Sequence, residues 1–394
     1  MRSVRPIHRR TAVQRIRGFL GDIFRQADGI LLALCCAASL FGIVEIASAT
    51  HYMGTSRHVI VQAGALAIGV AVYLLVSMAD LNELSKYWKW MVLAEAVLIL
   101  LLKTPLGAEG GTGNRAWLDI PGFPVNIQPA EIVKLLFTVV LARQLVWLRE
   151  KRNLNDFSSV AFLLGHVLAL VGLYYMISGD MGSALVFLFV FVCMSFAAGL
   201  KARWFALGLA VGGAGFYLLW NEDKISDYMK QRFVLLFDHT MDPQGVGWQQ
   251  NRSLLALGSG QWTGQGLFHG TQTQSPYSVS LPARHTDFIF SAIGEELGLL
   301  GCVAALALLT AIVIRCLVVA YRAKSRLETY VCVGMASMLI FQTVINVGMC
   351  LFLMPVIGLT LPFFSYGGSS IVTLFLAMGV VSGVQKRSLP EWLR

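Results

Sequence analysis

The sequence predicts an all-α polytopic integral membrane protein of about ten transmembrane helices, and three observations carry that expectation. Hydrophobic residues make up 56% of the 394-residue chain and charged residues only 13%, too little polar material to cover a soluble protein of this length. Apolar runs long enough to cross a hydrocarbon core of about 30 Å recur along most of it. Basic residues gather in alternate connections between those runs, as cytoplasmic loops require.

The runs fall at 29–49, 59–78, 87–102, 129–147, 157–177, 182–199, 203–220, 288–314, 329–352 and 368–385. The third is short and the eighth long, so one of them can be re-entrant rather than spanning. Orientation follows from Lys and Arg. Arg2, Arg5, Arg9, Arg10, Arg15, Arg17 and Arg25 precede the first run. The same side then receives Lys86 and Lys89, Arg143, Arg149, Lys151 and Arg152, Lys201 and Arg203, Arg315, Arg322, Lys324 and Arg326, and finally Lys386, Arg387 and Arg394. Both termini are therefore expected in the cytoplasm.

A net charge of +9 invites a nucleic-acid reading. Its concentration at membrane-facing loops is instead what topology and anionic inner-leaflet lipids produce, so membrane lipids and no nucleic acid are the expected partners. The basic N-terminal segment lacks the small-residue cleavage pattern of a signal peptide, and no processing is expected. Seven cysteines fall in or at the edges of the runs, namely Cys35, Cys36, Cys193, Cys302, Cys316, Cys332 and Cys350. With no CxxC pair and no ligand spacing to His269 or His285, they read as small apolar fillers rather than disulfide or zinc residues.

Three segments organise the chain: a basic cytoplasmic stretch at 1–28, one ten-helix membrane domain at 29–385, and a short cytoplasmic tail at 386–394. Within the domain, one outer connection between the seventh and eighth helices, 221–283, is long enough to carry function. It holds an amphipathic stretch from Tyr228 to Phe237, a turn-rich piece with Asp242, Pro243 and Gly245, and a glycine-rich piece with Gly258, Gly260, Gly264, Gly266 and Gly270. A second outer segment, 103–128, contains Gly110, Gly111, Gly113 and Pro121 and delivers Arg115 and Trp117 to the same face.

Chemistry is sought among polar groups at or inside the membrane, where an unpaired charge costs a few kcal/mol or more. Glu131 and Lys134 lie three apart just after Pro129, on one helical face near the outer end of the fourth span. They suit a structural ion pair and a substrate contact equally. Asp180, in the turn Ser178-Gly179-Asp180-Met181-Gly182, suits a helix N-cap. Glu295 and Glu296 interrupt an apolar helix, and a paired structural role is the simpler reading. Asp287 re-enters the membrane in LPARHTDFIF (281–290). An N-cap would suit its position, but the dense polar cluster of Arg284, His285 and Thr286 beside Phe288 and Phe290 favours function.

Several stretches resemble a known family. LPARHTDFIFSAIGEELGLLG (281–301), GSGQWTGQGLFHGTQ (258–272), GNRAWLDI (113–120), QPAEIVKL (128–135) and MPVIGLTLPFFSYGGSS (354–370) are similar to the SEDS family, named for shape, elongation, division and sporulation, with RodA and FtsW branches. The resemblance runs from about 110 to 385. It implies a peptidoglycan glycosyltransferase that polymerises lipid II, extending an undecaprenyl-linked glycan, at the outer face of the bacterial cytoplasmic membrane beside a class B penicillin-binding protein. The family's essential acid falls on Asp287, and positions associated with activity fall on Arg115, Gln128, Glu131 and Lys134. Asp180 matches an acidic turn position whose surroundings differ here. HGTQ (269–272) and the basic residue before HTDFIF favour the RodA-like branch.

The residues fit that chemistry independently. Joining two lipid-linked sugars needs a base for the acceptor hydroxyl, while a diphosphate-lipid departs without a proton. One carboxylate therefore suffices, unlike the pair that glycoside hydrolysis asks for. Asp287 is the candidate base, its pKa expected to rise by burial against Phe288 and Phe290. Arg115, Lys134 or Arg284 can offset charge on the leaving diphosphate, with His285 beside them, and a divalent ion such as Mg or Mn can do the same. Two other classes remain open: a lipid-precursor flippase, which needs access from both sides, and a non-catalytic scaffold for a penicillin-binding protein.

Overall fold

In the computed structural model, the described residues are 27–109, 114–122, 125–222, 227–238, 245, 247–277 and 280–388. The basic N-terminal segment up to residue 26, Gly110, Gly111 and Gly113, the Asp242–Pro243 turn and residues 389–394 lie outside them. The chain forms an all-helical membrane bundle. Its elements are α1 Gly29–Ala49, α2 Arg57–Ser77, α3 Leu81–Ser85, α4 Trp88–Leu101, α5 Pro129–Lys151, α6 Phe157–Ser178, α7 Met181–Ala197, α8 Ala202–Asn221, α9 Asp227–Val234, α10 Trp248–Gly260, α11 Ile289–Arg322, α12 Arg326–Cys350 and α13 Gly368–Ser388.

All ten apolar runs coincide with helices, within a few residues at most ends. Seven of the described helices (α1, α2, α6, α8, α11, α12 and α13) are long and apolar enough to cross a membrane, and α7 is a shorter apolar helix. Helix α4 has 14 residues because the preceding chain forms the separate five-residue α3. Helix α5 spans 23 residues but carries Glu131 and Lys134 in its first turns and Arg149 and Lys151 in its last. That order matches the helix dipole, acid at the amino end and base at the carboxyl end.

The core is centred on α5, α12 and α13, whose faces are buried along most of their length. Helix α12 packs on α11, α7 and α5, α2 runs along α13, and α11 contacts α1 and α10. None of the residues of α8 is buried; its N-terminal end is held by Asn155, whose Oδ1 accepts from Lys201 N at 2.8 Å and whose carbonyl accepts from Trp204 Nε1 at 3.3 Å. Charges and caps fix the starts of two helices. Asp28 caps α1 and pairs with Arg315 Nε at 2.8 Å. Ser325 and Glu328 form a reciprocal capping box on α12, the pattern that satisfies two free amides at once.

Two features depart from the sequence reading. The eighth span is longer than expected and is not one continuous helix: Gly298 at φ 67°, ψ −162° breaks α11, a backbone region essentially open only to glycine. The glycine-rich segment docks into that break. Leu299 N and Leu300 N donate to the carbonyls of Gln261 and Trp262 at 2.8 and 3.2 Å, while Gln265 N and Gly266 N donate to the carbonyls of Glu295 and Glu296, both at 2.9 Å. The second departure is α10, a 13-residue helix within the long connection, where the sequence reading places no helix and the glycine-rich piece begins only at Gly258. It is anchored by Gln250 Nε2, which donates to Met354 O at 2.8 Å, and by Ser253 Oγ, which lies 2.5 Å from Ser291 Oγ and donates to Cys350 O at 2.7 Å. These three polar contacts hold it where periodicity alone is weak.

Candidate active site

Asp287 stands in a tight turn that leads into α11. Ala283, at a left-handed φ of 44°, turns the chain so that its carbonyl accepts from Thr286 N at 3.0 Å and Phe288 N at 3.1 Å. The N-cap of α11 is Phe288, with no side-chain cap bond. Asp287 is therefore not the capping carboxylate that its position allowed. Phe288 and Phe290 are buried as expected, and Asp287 itself is half-buried. Burial, and after it the charge of Asp180, pushes its carboxyl up to about 6.

Asp180 does cap a helix. Its Oδ1 accepts from Ser183 N at 3.2 Å and its Oδ2 accepts from the Tyr174 hydroxyl at 2.8 Å. The turn is seated on the chain after α12: a Cβ added to Gly182 would lie 2.6 Å from the Ile357 carbonyl oxygen, so only glycine admits this approach. One residue on, the Cα of Gly358 faces the other acid, a Cβ there falling 3.9 Å from Asp287 Oδ2. The segment Ile357–Leu359 thus touches both the chain just after Asp180 and the Asp287 carboxylate.

The backbone of Arg115 joins the Asp180 turn. Its backbone N donates to Ser178 O at 3.0 Å and its guanidinium donates to Thr104 O at 3.0 Å. A two-residue hairpin steadies it: β1, Gly107–Ala108, pairs antiparallel with β2, Trp117–Leu118, and Leu118 bridges Ile127. That bridge places Gln128 at the start of α5, half-buried and with no side-chain cap bond. Glu131 and Lys134 are buried there and joined at 2.6 Å, so the ion-pair half of their expected role is realised. Asp287 and the Asp180 turn meet at the Ile357–Leu359 segment, and the backbone of Arg115 joins the Asp180 turn, while Glu131 and Lys134 lie in the first turns of α5.

Arg284 is placed differently from a cation awaiting a diphosphate. It is buried, its guanidinium donates to the carbonyls of Gln272, Thr273 and Ser275, and it stacks 3.7 Å from the Tyr52 ring centroid. Its charge organises the loop. His285 packs against His58 and Tyr366, with ring centroids 5.2 and 5.9 Å away. Burial, then the nearby His58 and Arg284, pushes its imidazole down to about 4, so it is neutral near pH 7. A small cavity of about 130 Å³ opens beside these residues, lined by Tyr52, Tyr277, Ser280 and Pro282 among others.

Glu295 and Glu296 are structural, though not by pairing with each other. Glu295 accepts from Gln272 N at 2.6 Å, Thr273 N at 2.7 Å and Thr273 Oγ1 at 2.6 Å. Glu296 accepts from Ser48 Oγ at 2.5 Å, Phe268 N at 3.1 Å and Gln274 Nε2 at 2.7 Å. Carboxylates satisfied by several donors hold a loop firmly. Asn346 and Ser365, which sequence reasoning did not single out, touch the Asp287 segment directly. Asn346 Nδ2 donates to Asp287 O at 2.7 Å and Ser365 Oγ donates to Thr286 O at 2.7 Å. Ser365 lay within a recognised motif, whereas Asn346 lay inside an apolar helix, where a lone amide is itself a signal. Among the described residues, no group of three or more His, Cys, Asp or Glu could hold a metal ion.

The chain is similar to known proteins over most of its length. It is 32% identical over 370 residues to a probable peptidoglycan glycosyltransferase FtsW of Geobacter metallireducens, covering 91% of this chain and 95% of the relative. It is 31% identical over 322 residues to the peptidoglycan glycosyltransferase MrdB of Escherichia coli, covering 82% and 84%. Among solved structures, the crystal structure of the Thermus thermophilus rod shape determining protein RodA matches with a TM-score of 0.66 at 28% identity, over 93% of this chain and 98% of that one. A chain from a study of polymerization and crosslinking by a peptidoglycan synthase complex matches with a TM-score of 0.76 at 29% identity, over 92% and 98%. Residues 28–389 match the cell cycle protein family of FtsW, RodA and SpoVE, and this multi-pass membrane protein belongs to that family.

Proposed function

We propose that the chain is a peptidoglycan glycosyltransferase that polymerises lipid II at the outer face of the bacterial cytoplasmic membrane, with both termini inside. The observation that carries this reading is Asp287: a half-buried carboxyl at the outer helix ends, capping nothing, with its pKa raised to about 6. The names of the relatives as peptidoglycan glycosyltransferases supply the reaction class.

In this reading the Asp287 carboxylate takes the proton of the acceptor sugar hydroxyl as that oxygen attacks the donor's anomeric carbon. The bond to the diphosphate breaks, and the lipid diphosphate leaves with the bonding electrons and needs no proton. A carboxyl poised near 6 is mostly ionised at pH 7 and a stronger base than an ordinary Asp. Arg115, whose backbone N is bonded to Ser178 two residues before Asp180, is the cation proposed to offset charge on the leaving group. Lys134, bound to Glu131, contributes to the field from α5, and Gln128 is free to accept or donate to substrate. Arg284 and His285 act indirectly, the first by fixing residues 272–275 and the second as a neutral packing group. A Mg or Mn ion carried by the diphosphate would need only one or two protein oxygens, a role that polymerisation with and without chelator tests.

A class B penicillin-binding protein is the proposed partner, in keeping with the synthase complex among the structural matches, and the HGTQ segment supports an elongation role. The test is lipid II polymerisation by purified protein and by Asp287→Asn, each alone and with the partner. Glycan strands from the parent but not from the folded variant support the reading. Equal polymer from both removes Asp287 from catalysis, and no polymer from either returns the flippase and scaffold readings.

A further inference from the structure

Three consecutive carbonyls in the Asp287 turn each accept a hydrogen bond from a distant part of the chain. Tyr366 N donates to His285 O at 2.8 Å, Ser365 Oγ to Thr286 O at 2.7 Å, and Asn346 Nδ2 to Asp287 O at 2.7 Å. The donors are themselves fixed. Ser365 Oγ accepts from Leu361 N at 2.9 Å, the Ser365 carbonyl accepts from Gln62 Nε2 at 3.0 Å, and Gln62 Oε1 accepts from Gly367 N at 3.1 Å. Asn346 Nδ2 donates a second bond, to Leu359 O at 2.7 Å.

Asn346 is fully buried and its Oδ1 has no partner. An apolar side chain would avoid that unsatisfied oxygen, so the amide is suited to what its N–H groups do. Those two N–H groups join the backbone of Asp287 to the backbone of Leu359, in the segment that packs on the Asp180 turn. One side chain thereby sets the distance between the strand bearing one acid and the support of the other. A base must lie within hydrogen-bond reach of the proton it takes, and a misplacement of about 1 Å can lower the rate about 100-fold.

We propose that Asn346, seconded by Ser365, is a positioning residue that holds Asp287 against the acceptor hydroxyl. This rests on the reading of Asp287 as the base and extends it to the residues that aim it. Both side chains are buried, so their removal is expected to act on turnover rather than on substrate affinity.

The experiment compares Asn346→Leu, Ser365→Ala, Ser365→Thr, Asp287→Asn and the pair Asn346→Leu with Asp287→Asn in the purified full chain. It measures kcat and KM for lipid II separately, with thermal unfolding in the same detergent. Asn346→Leu is expected to lower kcat by about 100-fold with KM little changed, and to have no further effect once Asp287 is Asn. Ser365→Ala should lower kcat and Ser365→Thr, which keeps the hydroxyl, should restore it. An Asn346→Leu enzyme that keeps parental kcat while Asp287→Asn is dead overturns the positioning role and leaves the base intact. Activity in Asp287→Asn overturns the base reading itself. Should Asn346→Leu not fold, the Ser365 pair decides: equal kcat for Ala and Thr sinks the proposal.

Discussion

The charge of Asp180 adds to burial in pushing the Asp287 carboxyl up to about 6, and the Ile357–Leu359 segment touches both the chain just after Asp180 and Asp287. Two acids from different helix ends thus form one electrostatic unit, although only one has its oxygens free of a capping duty.

The pH dependence follows. A raised carboxyl is protonated, and so inert as a base, below its pKa; polymerisation should therefore be full well above pH 6 and fall as pH drops through about 6. Asp180→Asn keeps the ability to cap α7 but removes the like charge, so the acid limb should move to lower pH. A pH–rate profile checks this, and a limb that stays put or moves upward contradicts the coupling.

Lys134→Met would leave Glu131 buried without its partner, a change that costs about 3–5 kcal/mol in buried pairs. The neutral pair Glu131→Gln with Lys134→Met should regain the lost thermal stability and most of the polymerisation. A double variant that is stable yet inactive would instead place the pair in substrate binding.

Glu295→Gln exchanges one acceptor oxygen for a donor facing three donors from Gln272 and Thr273. Hydrogen bonds to charged groups contribute about 1.5–3 kcal/mol each, so residues 261–275 should lose their grip on the break in α11. Hydrogen exchange should rise in that segment and not in α12, which a uniform rise would contradict.

Gly298→Ala places a Cβ 2.4 Å from Gly264 N and 2.6 Å from the Trp262 carbonyl carbon, at a positive φ. Backbone strain of about 1–3 kcal/mol adds to that clash. Thermal unfolding should occur at a clearly lower temperature; an unchanged value would mean that the docked loop shifts freely.

The membrane class and the helix positions were legible in the sequence, because hydrocarbon imposes length and composition on anything that crosses it. The apolar run 29–49 maps residue for residue onto α1, and the polar turn before Phe288 marked Asp287 without a coordinate. Tertiary structure alone decided what each polar group does. Arg284 and Asp287 stand three residues apart and looked alike as candidates, yet one is spent on loop carbonyls and the other is not. The break at Gly298 depends on a loop some thirty residues earlier, and Asn346 meets Asp287 only because α12 returns beside α11. Local pattern records which residues must leave water; hydrogen-bond partners from distant parts of the chain exist only once the helices have packed.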